Sequence, residues 1–259
     1  MTISWEKSME IRPNRVKQKL ANGNLAYVIS GLTSADDIDT FGPNGYDGVW
    51  LEGEHGSVDA AQLGDLTRAC DLWGMTSITR VNRNDQGLIY RTLDCGSMGI
   101  CVPHVNTKAE AQNVVDGTKF APIGHRGMYT SRQGYGVDNY FDVANSQTLI
   151  IVLIEDIVAV NNLDDILTVD HIDVFFVAPS DLATSMGHIG NLTHPDVQGT
   201  IDSALARIQA AGRVAGTLTT DATVEKYVKA GVRFLMTGVG GWITASAAAF
   251  KERAEGAKS

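Results

Sequence analysis

Glu155 and Asp181 stand at the ends of two successive strand-like runs: Glu155 closes Leu149–Ile154, and Asp181 follows Val174–Ser180. If both runs are parallel strands of one barrel, both carboxylates leave it at the same end. Two such oxygens suit a hard divalent cation such as Mg²⁺, which takes one or two protein carboxylates and completes its shell with water and substrate oxygens. The bland alternative is a pair of solvated carboxylates capping the helices that follow. Other strand ends add Glu52-Gly-Glu-His55, Arg80 and His104. His55 could act as a general base or in a base relay, since imidazole titrates near neutrality; a loop histidine bonded locally is the alternative. Only one of Glu52 and Glu54 is expected to face the site. Arg80 could hold a substrate carboxylate and developing oxyanion charge, or form a salt bridge across the rim to Glu52 or Glu155. His104 could line the site or pack at its strand end, whereas His125, His171, His188 and His194 read as locally bonded loop residues. Gly238–Trp242 reads as a tight turn rather than a phosphate nest. No lysine lies within the strand runs, which argues against a Schiff base; carbonyl chemistry here would need a metal as its electrophile.

Something must aim these groups at one point. Eight β-rich runs are visible, Leu25–Leu32, Gly48–Glu52, Thr76–Val81, Gly99–Val105, Leu149–Glu155, Val174–Ala178, Val214–Leu218 and Phe234–Gly238. Several are continuously apolar, as strands buried on both faces are. Amphipathic helical segments intervene at Asp59–Trp73, Lys108–Lys119, Ile157–Val169, Pro195–Ala211 and Ala222–Ala230. Thr107 with Glu110 forms a capping-box pattern, and Gly212 and Gly231 sit where helices end. This alternation predicts an α/β fold, a single (β/α)8 TIM barrel over residues 1–259. An open doubly wound sheet shares the alternation, but the count of eight and the lack of Gly-x-Gly-x-x-Gly after the first strand favour the barrel. Residues Met1–Leu20 are expected to form a helix across the barrel floor, and Pro122–Asn145 a long loop.

Composition narrows the class. The chain has 259 residues, 44% hydrophobic, and a formal net charge of −9, which argues against nucleic acid and anionic membranes as partners. Its three cysteines, Cys70, Cys95 and Cys101, lack metal-ligand spacing and read as free thiols, with a disulfide as the alternative. With no apolar run of membrane-spanning length and no secretory signal visible, a cytoplasmic location is expected.

The chain resembles the HpcH/HpaI class II aldolases, metal-dependent pyruvate aldolases of the phosphoenolpyruvate/pyruvate barrel superfamily. The resemblance rests on Gly45–His55, Thr79-Arg80, Leu93–Gly96, Val102–Thr107, Pro122–Gly127, Glu155, Ala178–Ala183, Gly187 and His194–Val197, in order along nearly the whole chain. It implies that Glu155 and Asp181 bind Mg²⁺, Mn²⁺ or Co²⁺, and that Arg80 binds the pyruvate or enolate oxygens. It implies a proton relay at His55 with Asp94 of the partner subunit, and a carboxylate held by backbone around Pro179 and Ser180. It also implies a homo-hexamer, a trimer of dimers that exchange a last helix, here roughly Ile243–Ala257. The implied reaction is cleavage of a 4-hydroxy-2-oxo acid to pyruvate and an aldehyde, with the reverse aldol addition. Two positions depart from the family pattern: Leu153 stands where it usually has Gln, and Glu52 where it commonly has Asp. Those departures keep open a related lyase acting on another oxo acid or a CoA ester, and a barrel that binds a metabolite without turnover.

Overall fold

A computed structural model describes residues 9–258. Its strands are β1 (Ala26–Ser30), β2 (Gly48–Glu52), β3 (Thr76–Arg80), β4 (Gly99–Val102), β5 (Leu149–Ile154), β6 (Val174–Val177), β7 (Ala215–Leu218) and β8 (Phe234–Gly238). All neighbouring pairs are parallel, and β1 pairs with both β2 and β8, closing the barrel. The continuous apolar runs are explained by this closure. In β5, Leu149, Ile151 and Leu153 fill the barrel interior, whereas Ile150, Val152 and Ile154 pack against the helices outside.

Every expected strand is present, several of them shorter than the apolar run that announced it. β4 stops at Val102 because Pro103 and a His104 turned to φ +52° break the ladder. The expected helix Ile157–Val169 is two short ones, Ile157–Asn161 and Leu163–Ile166. Helices at Ala35–Phe41, Gln86–Asp94 and Tyr140–Gln147 were not anticipated, and the third lies partly within the expected Pro122–Asn145 loop. Gly212 and Gly231 do adopt the left-handed backbone of helix ends, at φ +72° and +87°. Thr107 caps its helix by accepting from the Glu110 N–H, but Glu110 returns its carboxylate to the Asn106 N–H rather than to that of Thr107.

The floor helix is shorter than expected. It runs Arg15–Ala21, with residues 9–14 non-helical and residues 1–8 outside the described part. Asn14 sets its start: Oδ1 accepts from the Lys17 N–H at 3.0 Å, while Nδ2 donates to the carbonyls of Met98 and Gln147. Val16 and Leu20 then plug the bottom of the barrel. All three cysteines are free. Among the described residues, no helix is long and apolar enough to cross a membrane.

Candidate active site

The side-chain period of the strands decides what reaches the barrel mouth. Glu155 continues the inward row of Leu149, Ile151 and Leu153. It is 1% exposed, its Oε1 accepts the His104 N–H at 2.7 Å, and its Oε2 is buried with no hydrogen-bond partner. Burial, with the negative charges of Asp181 and Glu54 adding to it, pushes the Glu155 pKa up to about 7, against the opposing pull of His104. Asp181 lies in the first turn of the helix Pro179–Ser185, which Pro179 opens directly after β6.

Arg80 and Glu52 are register partners on β3 and β2, so their side chains meet on the interior face. The Arg80 Nε donates to both Glu52 oxygens at 3.0 and 2.9 Å, Nη2 lies 2.7 Å from Glu52 Oε2, and Nη1 lies 2.8 Å from Glu54 Oε2. Glu52 also accepts from the Trp50 indole and from the backbone N–H groups of Glu54 and His55. Burial works against its charge, but these donors outweigh burial and hold its pKa below the usual range. Glu52 therefore organises the turn that carries His55. The rim salt bridge anticipated for Arg80 exists, to Glu52 and Glu54 and not to Glu155.

A cavity of about 290 Å³ opens at this mouth, and His55, Arg80, Leu153, Pro179, Ser180 and Asp181 line it. The rest of its wall is apolar: Trp50, Phe176, Ala178, Leu218 and Met236. A larger cavity, about 610 Å³, lies elsewhere, among Arg12, Asp71 and Arg132, where both arginines pair with Asp71. It gathers no acid–base pair near the strand ends, so size does not locate the chemistry here. His55 is largely exposed, with Nε2 3.7 Å from Glu54. Asp94 is not brought to His55 within this chain; it ends the helix Gln86–Asp94 and pairs with Arg126 at 2.5 Å. His104 is neither packed nor idle: its Nδ1 lies 2.9 Å from Asp156 and 3.4 Å from Glu155. Asp156 escaped sequence reasoning, although its place directly after Glu155 was a usable signal.

The donor set fits a divalent cation. Glu155 Oε2 is a buried carboxylate oxygen without a partner, a costly state unless something compensates it, and Asp181 supplies a second oxygen at the same mouth. Oxygen donors of this kind suit Mg²⁺, Mn²⁺ or Co²⁺. A second group, His188, His194 and Asp196, also brings ligand atoms within 4.8 Å of one another. Its imidazoles stack at 3.7 Å and 20°, so their in-plane lone pairs run alongside rather than converge, and His194 Nδ1 already accepts the Asp196 N–H.

Residues 26–247 match the sequence profile of a family described as HpcH/HpaI aldolase/citrate lyase. A 5-keto-4-deoxy-D-glucarate aldolase of Salmonella arizonae is 36% identical over 233 residues, covering 88% of this chain and 91% of that protein. Among solved structures, a HpcH/HpaI aldolase/citrate lyase family protein from Burkholderia cenocepacia superposes with a TM-score of 0.86 at 28% identity, over 92% of this chain and 98% of that one. The citrate synthase SbnG superposes with a TM-score of 0.82 at 25% identity, over 93% and 99% of the two chains.

Proposed function

The chain belongs to the HpcH/HpaI aldolase/citrate lyase family and is an aldolase-type carbon–carbon lyase; from that premise we propose that it cleaves a 4-hydroxy-2-oxo acid to pyruvate and an aldehyde, and runs the reverse addition, with a divalent cation held by Glu155 and Asp181. The observation that carries this reading is the buried, unpartnered Glu155 Oε2 beside Asp181. The substrate class agrees with the curated relative's name. Counted from its other carboxyl, a 5-keto-4-deoxy-glucarate is a 2-oxo-3-deoxy-4-hydroxy acid.

When bound, the cation would polarise the 2-oxo group and stabilise the enolate charge. The chain's own residues do the rest. Backbone around Pro179 and Ser180 holds the substrate carboxylate, and the two Arg80 N–H groups not engaged by Glu52 and Glu54 face the developing enolate oxygen. His55, relayed through Asp94 of the partner subunit, takes the C4 hydroxyl proton. The C3–C4 bond breaks, its electron pair enters the enolate, and the aldehyde leaves. Returning a proton to C3 gives pyruvate. Leu153 makes the inner wall apolar where the family pattern has an amide, which favours a second reading: a related lyase acting on another oxo acid or a CoA ester.

The test is pyruvate release, coupled to lactate dehydrogenase, from 4-hydroxy-2-oxo acids with polar and apolar tails. Stripping with EDTA is expected to lower the rate at least about a hundredfold, and Mg²⁺ or Mn²⁺ to restore it. Turnover of oxaloacetate or a CoA ester instead would move the assignment to the second reading. Thermal stabilisation by these acids without turnover would leave a binding barrel.

The assembly is part of the same proposal. Helix Val239–Gly256 packs on the barrel only at its start, through the half-buried Val239 and Trp242, and beyond them Ile243 and Phe250 are 64% and 68% exposed. Apolar side chains left uncovered along the rest of the helix fit exchange between paired subunits. Light scattering is expected to give about six times the 27.8 kDa chain mass. Phe250→Glu should reduce that mass, and a wild-type monomer would refute the assembly.

A further inference from the structure

Two residues past β4, the backbone of His104 turns to φ +52°. Any residue with a Cβ enters that left-handed region at a cost, and glycine is its usual occupant. A histidine there needs compensation, and its contacts supply it. The turn aims its N–H at Glu155 Oε1, 2.7 Å away, and its ring Nδ1 sits 2.9 Å from Asp156 Oδ2. One oxygen of Glu155 is thereby occupied, while Oε2 stays buried and unpartnered.

We propose that His104 is a positioning residue for the cation centre: its left-handed backbone pins Glu155 through Oε1, leaving Oε2 as the oxygen presented to the cation, and its ring, anchored on Asp156, keeps that backbone turned. The proposal rests on the reading of Glu155 as a metal ligand. A free glutamate carboxylate rotates about its last torsion and can engage an ion through either oxygen or both. A donor bonded to one oxygen removes that rotation before the ion arrives, so less freedom is lost on binding. Partners that orient metal ligands in this way are typically worth about ten- to a hundredfold in metal affinity.

The experiment is Mn²⁺ titration calorimetry on the EDTA-stripped protein, which needs no substrate. His104→Val is expected to weaken Mn²⁺ binding at least about tenfold, because a β-branched residue resists φ > 0. His104→Gly and His104→Asn both accept left-handed backbone and are expected to stay within about threefold of wild type. Should His104→Val fail to fold, His104→Ala replaces it, with an expected loss of about fivefold. A valine or alanine variant that binds like wild type overturns the proposal. So do glycine and asparagine variants that fall as far as valine, because the ring alone would then be responsible. Wild-type protein that takes up no Mn²⁺, or Glu155→Gln protein that binds it as well as wild type, overturns the metal reading and the proposal with it.

Discussion

Glutamine in place of Glu155 is expected to lower kcat/KM for aldol cleavage at least about a thousandfold and to abolish tight metal binding, while leaving the fold intact. The amide keeps the Oε1 acceptor for the His104 N–H, so the local geometry has no reason to change. What is lost is the charge on the atom that has no partner in the protein, Oε2. Glutamine also removes a proton-linked cost. The Glu155 pKa is pushed up by burial to about 7, above the ordinary 4.5, so between those values the metal-free folded state holds a proton that the unfolded state has lost. Stability of the metal-free protein therefore falls as pH rises through that window. The cation competes with the same proton: wild-type Mn²⁺ affinity should rise about tenfold per pH unit up to roughly 7 and then level. Calorimetry at several pH values and melting curves of the stripped protein measure both slopes, and Glu155→Gln should remove both. A variant that keeps metal-restored cleavage would take Glu155 out of the cation site.

The strands and the site were legible in this sequence to different degrees, for physical reasons. β5 was plain because both its faces are buried, so Leu149–Ile154 reads as one apolar run. The helix Ala35–Phe41 was not, because it has only seven residues and buries one of them, Ile38, too short a stretch for a period to show, although the capping box Ser34/Asp37 was there to be seen. Glu155, Asp181, Arg80 and His55 could be named as candidates from strand ends alone, since a barrel sends all such ends to one mouth. Their partners could not. The choice of Arg80 between Glu52, Glu54 and Glu155 depends on strand register and on the turn at Gly53, where a Cβ would come within 2.6 Å of the Arg80 carbonyl oxygen. The contact of His104 with Glu155 depends on a left-handed residue that no hydrophobic period announces. Asp94 closes the helix Gln86–Asp94, which runs back from the mouth toward the start of β4, and it pairs there with Arg126, whereas His55 follows the end of β2.

Arg80 carries the second large expectation, and its two roles can be separated. Arg80→Lys keeps the charge but replaces a planar fork by a single point. One ammonium cannot reproduce the contacts that Nε, Nη2 and Nη1 make with Glu52 and Glu54 and still face an enolate. A fall of about a hundredfold in kcat/KM is expected, carried mainly by kcat, because charge at the enolate oxygen develops in the transition state. Arg80→Met should be worse in a different way. It leaves Glu52 and Glu54 charged, half-buried and side by side, at a cost of about 3 kcal/mol, or roughly 6–12 °C in melting temperature for a chain of this size. Adding Glu52→Gln to that variant should recover part of the stability, since the two carboxylates then no longer repel each other, yet none of the activity. Kinetics and melting curves of the four proteins then divide the residue's work: a lysine variant that cleaves at the wild-type rate would make Arg80 a clamp on the rim, whereas one that melts near wild type and has lost its kcat makes it part of the chemistry.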